Sequence, residues 1–145
     1  MRRALALALA ASLWGCATAG PTPEGFAPYH GRPTQAVSPE GVVFKARVEK
    51  NDPEADVAFW AEALVRRQTN AGYRLIGQSE LSAGSLTGQV IELEAPLGAW
   101  DYTYLITLFV DGGDLHVIEA AGRVQDVAPH RDAILKAAAA TVTGG

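Results

Sequence analysis

Three kinds of residue are scarce in this chain, and each scarcity narrows what the protein can be. There is one cysteine in 145 residues, which excludes an intramolecular disulfide and the cysteine clusters of structural zinc sites. Lysine and arginine number 12 against 16 aspartates and glutamates, a net charge of −4 that disfavours nucleic-acid binding. The three histidines are far apart in the sequence, without the spacing of a metal-ligand pair.

Long apolar runs are also scarce, and the main one is at the N-terminus. Residues 4–14 are alanine- and leucine-rich, follow Arg2 and Arg3, and precede the small residue Gly15. The run is shorter than the roughly 20 apolar residues that span a bilayer. Its order of basic start, apolar run and small residue predicts that residues 1–15 are a secretory signal.

The end of this signal, Leu13-Trp14-Gly15-Cys16, resembles the lipobox of bacterial lipoproteins. The resemblance implies that the Cys16 thiol carries a diacylglycerol, that cleavage occurs before it, and that the new amine is acylated, for example with palmitate. Trp14 departs from the small or short-branched residue of the family. Ala17 after the cysteine implies the outer membrane, with the domain facing the periplasm; the cell surface and a soluble periplasmic protein are the alternatives.

A proline-rich segment, residues 16–39, follows the signal. It holds five of the eight prolines: Pro21, Pro23, Pro28, Pro33 and Pro39. This composition predicts an extended tether of up to about 70 Å, at roughly 3.1 Å per residue, between membrane and domain. Residues 26–30 are too aromatic for a plain spacer, so this patch either docks on the domain or stays solvated.

Residues 40–145 have the size and the alternation of a single α+β domain. Strands are predicted at residues 42–49, 73–81, 86–95, 102–110 and 115–121, and helices at 53–71 and 129–142. Short turns between most strands predict a mostly antiparallel sheet of about five strands with helices packed on it. The strand at 102–110 is apolar on both faces and needs cover from both sides, as in an α/β/α sandwich.

The ends and the packing face of the first helix are also predicted. Asp52 is the expected N-cap, and Gly72 is the expected stop. Trp60 and Leu64 fall on one face at helical spacing, which predicts that the helix packs on the sheet through them.

The glycine-rich turn at residues 111–114 predicts a hairpin in which Ile106 faces Glu119. Glu119 then lies among apolar neighbours and needs a hydrogen-bond donor. We expect the hydroxyl of Tyr104 or Tyr102 to supply it.

The order strand, helix, four strands, helix over residues 40–142 resembles the PsbP-like and Mog-type sandwich. The segments YTYL (102–105), DGGD (111–114) and RDAIL (131–135) carry this resemblance. It implies a non-catalytic adaptor that docks on a larger complex. No functional residue is carried over, because those families share no contact motif with this chain.

Catalytic and cofactor motifs are not predicted. Ser85 lies one position early between its flanking glycines for a nucleophile elbow. A carboxylate pair for glycoside cleavage could be drawn from Glu92, Glu94, Asp101 and Glu119, although solvated edge charges explain the first two. The turn at residues 111–114 offers two carboxylates, too few oxygens for a calcium site.

The sequence therefore leads to one main hypothesis and two alternatives. The main hypothesis is a non-catalytic cell-envelope lipoprotein that binds another envelope component through a small domain. The first alternative is a carrier of an apolar ligand near Trp100, Tyr102 and Tyr104. The second is a small periplasmic hydrolase that acts through Glu119 or Asp101.

Overall fold

The structure is a computed structural model and describes residues 20–144, apart from the side chains of residues 96 and 97. The lipobox and Cys16 lie outside the described residues. Among the helices of residues 20–144, none is long and apolar enough to cross a membrane.

These residues form a seven-stranded antiparallel sheet with helices on both faces. The strands are β1 (Ala27–Tyr29), β2 (Arg32–Val37), β3 (Val43–Lys50), β4 (Arg74–Ala83), β5 (Leu86–Leu97), β6 (Trp100–Asp111) and β7 (Asp114–Arg123). The helices are α1 (Val57–Asn70), α2 (Val124–Val127) and α3 (Arg131–Thr143), with a 3-10 turn at Ala128–His130. The strand order across the sheet is β1-β2-β3-β7-β6-β5-β4, and the α+β class is confirmed.

The sheet buries apolar side chains on both faces, because side chains alternate along each strand. Ile106 of β6 is fully buried toward α1, where it belongs to one core with Ala61 and Leu93. Its neighbour Leu105 faces the other way, into the core that contains Ile134 of α3. Strand β6 is thus covered on both faces, as its doubly apolar sequence predicts.

Helix α1 begins later than predicted. Its N-cap is Asp56, which accepts a hydrogen bond from the backbone N–H of Phe59 at 2.8 Å, whereas the sequence pattern predicted Asp52. Asn51 explains the difference. Its side chain accepts from the N–H of Ala55 at 3.2 Å and donates to the carbonyl of Ala55 at 3.0 Å, which closes a separate turn before the helix.

The end and the packing face of α1 are as predicted. The helix ends at Asn70, followed by Ala71 as C-cap and by Gly72 with φ 97°, a conformation that glycine adopts without strain. Trp60 and Leu64 pack against the sheet core.

Seven strands replace the predicted five, and the two additional strands lie within the predicted tether, residues 16–39. Strand β2 pairs with β3, with Gln35 opposite Lys45, and β1 pairs with β2. Phe26 is buried with its ring edge-on to His130, 5.1 Å between ring centroids. Within the aromatic patch, Phe26 therefore docks on the domain, whereas Tyr29 is exposed.

Tertiary packing, not local pattern, makes β2 a strand. Residues 32–37 alternate weakly and include Pro33, which lacks an N–H donor and disfavours a strand. However, Ala36 lies opposite Phe44 of β3, and each is 1% exposed. Without β2, this pair and the edge of β3 would be open to water. From residue 20 onward, the expected tether is part of the folded domain.

The β6–β7 hairpin has the predicted register. Ile106 lies opposite Glu119, and Tyr104 lies opposite Ala121. Gly112 in the turn has φ 56°, which explains the glycine there.

Helix α3 covers the second face of the sheet through small side chains. Ile134, Ala137 and Ala138 are its buried residues, and the two alanines allow close approach. The helix begins at Arg131, two residues after the predicted start, because the chain before it forms the 3-10 turn.

Candidate functional site

A groove runs beside α1 on one face of the sheet, and we call it the α1 groove. Helix α1 packs chiefly over β4, β5 and β6, which leaves parts of β7 and β3 open on the same face. The space between them has a volume of about 360 Å³. Its lining residues, from helix to far strand, are Trp60, Ala63, Leu64, Arg67, Gln68, Tyr104, Leu108, Leu115, Val117, Glu119, Arg47 and Glu49.

Glu119 lies on the floor of this groove and accepts hydrogen bonds from two donors. The Tyr104 hydroxyl donates to Oε1, and Nη1 of Arg47 donates to Oε2. Nε of Arg47 also donates to Oε1 of Glu49 at 2.7 Å. The Glu119 side chain is 18% exposed and that of Glu49 is 51% exposed, so the network runs from the floor of the groove to its rim.

The strand order brings these groups together. Strand β7 lies between β3 and β6, so a side chain on β7 has a neighbour on each side. Arg47 on β3 and Tyr104 on β6 each lie two positions from the residue directly opposite Glu119. Both side chains reach the carboxylate diagonally. The expected tyrosine donor is thus Tyr104 and not Tyr102.

The network keeps its donors protonated. Burial, and then the hydrogen bond to Glu119, raise the pKa of the Tyr104 hydroxyl above its ordinary value of 10.0. Burial acts to lower the pKa of Arg47, but the hydrogen bond to Glu49 and the charges of both glutamates outweigh it, so the net direction is upward. The Glu119 carboxylate therefore faces a permanent cation and a permanent hydroxyl donor at neutral pH.

The rims of the groove carry opposite charges. Arg67 stands on the helix side and makes no ion pair with a residue of the described part of the chain, whereas Glu49 stands on the β3 side. The preceding residue, Arg66, points away and pairs with Glu62 at 2.9 Å on the outer surface of α1. Between the rims, the floor combines apolar side chains such as Val117 with the carboxylate of Glu119.

The other predicted carboxylates do not join Glu119. Glu92 and Glu94 lie on the opposite face of the sheet, since their strand neighbours Val90 and Leu105 point into the α3-side core. Glu92 pairs with Nε of Arg131 at 3.4 Å, and Glu94 pairs with Arg74. The structure thus separates the candidate carboxylates and gives each of these two a cationic partner.

The three aromatic residues predicted to hold an apolar ligand do not line one groove together. Trp100 is 49% exposed, and its ring lies 4.4 Å from Cζ of Arg123, beside the exposed Asp101. Tyr104 lines the α1 groove, whereas Trp100 and Tyr102 do not.

The histidines occupy different parts of the fold. His30 lies in the β1–β2 turn, His116 lies on β7, and Nε2 of His130 is 3.0 Å from Oε2 of Glu40. Within residues 20–144, no group of three or more histidines, aspartates or glutamates is placed to hold a metal ion.

Arg47 and Arg67 line the α1 groove but were not predicted from the sequence as site residues. Alternation places Arg47 on the polar face of its strand, but its partner Glu119 is 72 positions away, and no local pattern pairs these two strands. For Arg67 a signal was present, because it follows the core residue Leu64 by one helical turn and so borders the buried stripe of α1.

Comparison with known proteins supports the fold. No protein-family model and no curated protein sequence matches the chain. Among solved structures, the chain is similar to PA94 of Pseudomonas aeruginosa, a protein of unknown function, with a TM-score of 0.53 and 12% identity over 69% of this chain and 72% of that one. It is also similar to the cyanobacterial PsbP protein CyanoP of Synechocystis sp. PCC 6803, with a TM-score of 0.56 and 9% identity over 82% of both chains. The expected resemblance to PsbP-like proteins is therefore confirmed at the level of the fold.

Proposed function

We propose that this chain is a non-catalytic lipoprotein of the cell envelope whose domain binds a segment of another envelope protein in the α1 groove. Lipid on Cys16 would attach it to the outer membrane, with the domain in the periplasm. The signal and the lipobox at residues 1–16 support the anchor. The PsbP-like fold supports the adaptor role, because the families that the sequence resembles are mainly adaptors.

The α1 groove carries the binding part of this proposal. Its floor combines apolar side chains with the Glu119 carboxylate, and its rims are charged. Arg67 on one rim makes no ion pair with a described residue, and Glu49 lies on the other rim. Protein-binding surfaces usually place apolar side chains at the centre and charges at the rim, where burial supplies affinity and rim charges orient the partner. A polypeptide segment of mixed polarity matches this surface.

The hydrogen bonds of Glu119 support binding over hydrolysis. A general acid or base must bring a carboxylate oxygen within hydrogen-bond distance of the proton that it transfers. Arg47 and Tyr104 each donate to one oxygen of Glu119, so both oxygens already have partners within the domain.

Photocross-linking in intact cells tests the groove. A photoreactive amino acid at position 67 should give adducts of defined mass with an envelope protein. The photoreactive amino acid at position 66 is the matched control, since Arg66 is adjacent on the same helix but points to the outer surface. We expect Arg67→Ala to weaken copurification of that partner several-fold and Arg66→Ala to leave it unchanged. Equal adducts from both positions, or none from position 67, would contradict the proposal.

A separate measurement tests the anchor. Mass spectrometry of the protein from membranes should show diacylglycerol and an acyl chain on Cys16, and Cys16→Ala should fractionate with the soluble periplasm. Membrane association that persists in Cys16→Ala would count against lipid attachment.

A further inference from the structure

The folded domain begins very close to the proposed lipid attachment site. Gly20, the first described residue, donates its backbone N–H to the carbonyl of Pro33 on β2 at 3.0 Å. The next residues run along α3, where Pro21 and Thr22 share a small cleft with Ala137. The chain is therefore attached to the domain from residue 20 onward.

This attachment limits how far the domain can lie from a lipid on Cys16. Four residue steps separate Cys16 from Gly20, and a fully extended chain covers at most about 3.6 Å per step, or about 14 Å in all. That distance is close to the diameter of a single helix with its side chains. Whatever path residues 17–19 take, the surface around Gly20 must lie next to the headgroups.

The surface around Gly20 has the character of a lipid-contacting face. A cleft of about 210 Å³ opens there between β2, β3 and the end of α3. Apolar side chains dominate its lining, including Pro21, Ala46 and Ile118. Val48 at its edge is 57% exposed, which is unusual for a strand valine in a folded domain. We call this the anchor-side cleft.

The β1–β2 hairpin adds an aromatic ring and a cation to the same end of the sheet. Tyr29 is 39% exposed and lies opposite Arg32, and the next residue, Pro33, accepts the bond from Gly20. Tyrosine is favoured at membrane–water interfaces, and arginine can reach lipid phosphates from there.

We propose that the domain rests directly on the bilayer, with the anchor-side cleft, Val48 and the Tyr29–Arg32 turn in contact with the phospholipid headgroup region. This inference rests on the proposed lipidation of Cys16. The occupant of the cleft is then the lipid surface, since the chain that leads to the anchor ends at its edge. The α1 groove, on the opposite face of the sheet, faces away from the membrane and stays open to a protein partner.

Depth-dependent fluorescence quenching tests this orientation. The chain has one cysteine, and lipidation converts it to a thioether, so an introduced cysteine is a unique labelling site. The lipidated full chain is labelled at Val48→Cys or, as the control, at Glu62→Cys on the outer surface of α1, and is placed in phosphatidylcholine vesicles that contain a headgroup-nitroxide phosphatidylcholine. We expect several-fold stronger quenching at position 48 than at position 62.

A variant with a longer linker provides the second part of the quenching experiment. A Gly/Ser insertion of about 20 residues before Gly20 gives the domain a root-mean-square reach of about 25 Å, and quenching at position 48 should fall to the level at position 62. Equal quenching at both positions without the insertion, or no effect of the insertion, would overturn the orientation. A mass spectrum that shows Cys16 without acyl groups would instead overturn the anchor itself, so the two failures are distinguishable.

Discussion

A single residue, Glu119, shows how one side chain depends on three strands. It lies between the buried residues Ile118 and Ala120 of β7, and β3 and β6 each supply a donor to its carboxylate. Leaving a partly buried carboxylate without donors costs more free energy than the hydrogen bonds themselves contribute. We therefore expect the network of Glu119, Arg47 and Tyr104 to matter for stability as well as for the shape of the groove.

Removing the Tyr104 hydroxyl should destabilise the domain. Tyr104→Phe deletes one of two donors to a carboxylate that is 18% exposed, so the free energy of unfolding should fall by about 1–2 kcal/mol. Tyr102→Phe is the matched control, because the hydroxyl of Tyr102 makes no hydrogen bond to a described residue. Urea denaturation measures both variants, and an equal loss in the two would contradict a specific role for Tyr104.

The raised pKa of Tyr104 predicts a stability loss at high pH. Below its ordinary pKa of about 10, the folded and unfolded states both hold the hydroxyl proton. Above it, the unfolded state releases the proton while the folded state keeps it, so the unfolding free energy declines as pH rises. Between about pH 9 and 11 the wild type should lose more stability than Tyr104→Phe. Parallel pH profiles for the two proteins would show that Tyr104 titrates normally.

At the scale of elements, the central strands are placed by contacts between residues far apart in sequence. Gly88 on β5 is an example. A Cβ there would lie 2.6 Å from the carbonyl oxygen of Leu108 and 2.6 Å from the ring of Phe109. The glycine therefore permits the close approach of β5 and β6 over the fully buried Phe109. This packing explains a glycine at position 88.

Two glycine-to-alanine substitutions distinguish the effect of close packing at Gly88 from the general effect of alanine in a strand. Gly88→Ala should lower the free energy of unfolding by about 1–3 kcal/mol, because backbone and a buried ring must shift to admit the methyl group. In Gly77→Ala, on neighbouring β4, the new methyl group meets nothing within 4 Å, so stability should be unchanged or rise by up to about 1 kcal/mol. Thermal melts of both variants provide the comparison, and a Gly88→Ala protein as stable as Gly77→Ala would refute the contact.

At the scale of the whole molecule, the N-terminal segment is a structural part of the domain. Strands β1 and β2 extend the sheet, and Phe26 fills a site beside His130 that the core would otherwise leave open. This arrangement brings the folded domain to within four residue steps of Cys16. With Cys16 lipidated as proposed, the fold would set the position of the domain relative to the membrane.

Truncation tests where the domain begins. A chain of residues 20–145 should keep the stability of the full domain, whereas one of residues 40–145 lacks β1, β2 and Phe26 and exposes Phe44. The shorter chain should lose at least about 3 kcal/mol of unfolding free energy, since it loses one buried aromatic side chain and uncovers another. Coincident urea transitions for the two chains would mean that residues 20–39 contribute nothing to the unfolding free energy.

The sequence by itself determined the features that depend on local periodicity and turn chemistry. Alternation predicted β3 to β7 nearly to their ends, the glycine-rich turn predicted the register that places Ile106 opposite Glu119, and Gly72 predicted the end of α1. The lipobox around Cys16 is also a local pattern. It lies outside the described residues and stays a prediction.

Tertiary structure alone decided the features that depend on pairing between distant segments. Strand β2 could not be predicted from local sequence, because it contains Pro33 and alternates weakly. It forms because it pairs with β3 and helps to bury Phe44. The α1 groove requires the strand order β3-β7-β6, which brings Arg47 to Glu119 across 72 positions of sequence. Such pairings arise from the burial of side chains in the assembled sheet, and local sequence carries little information about them.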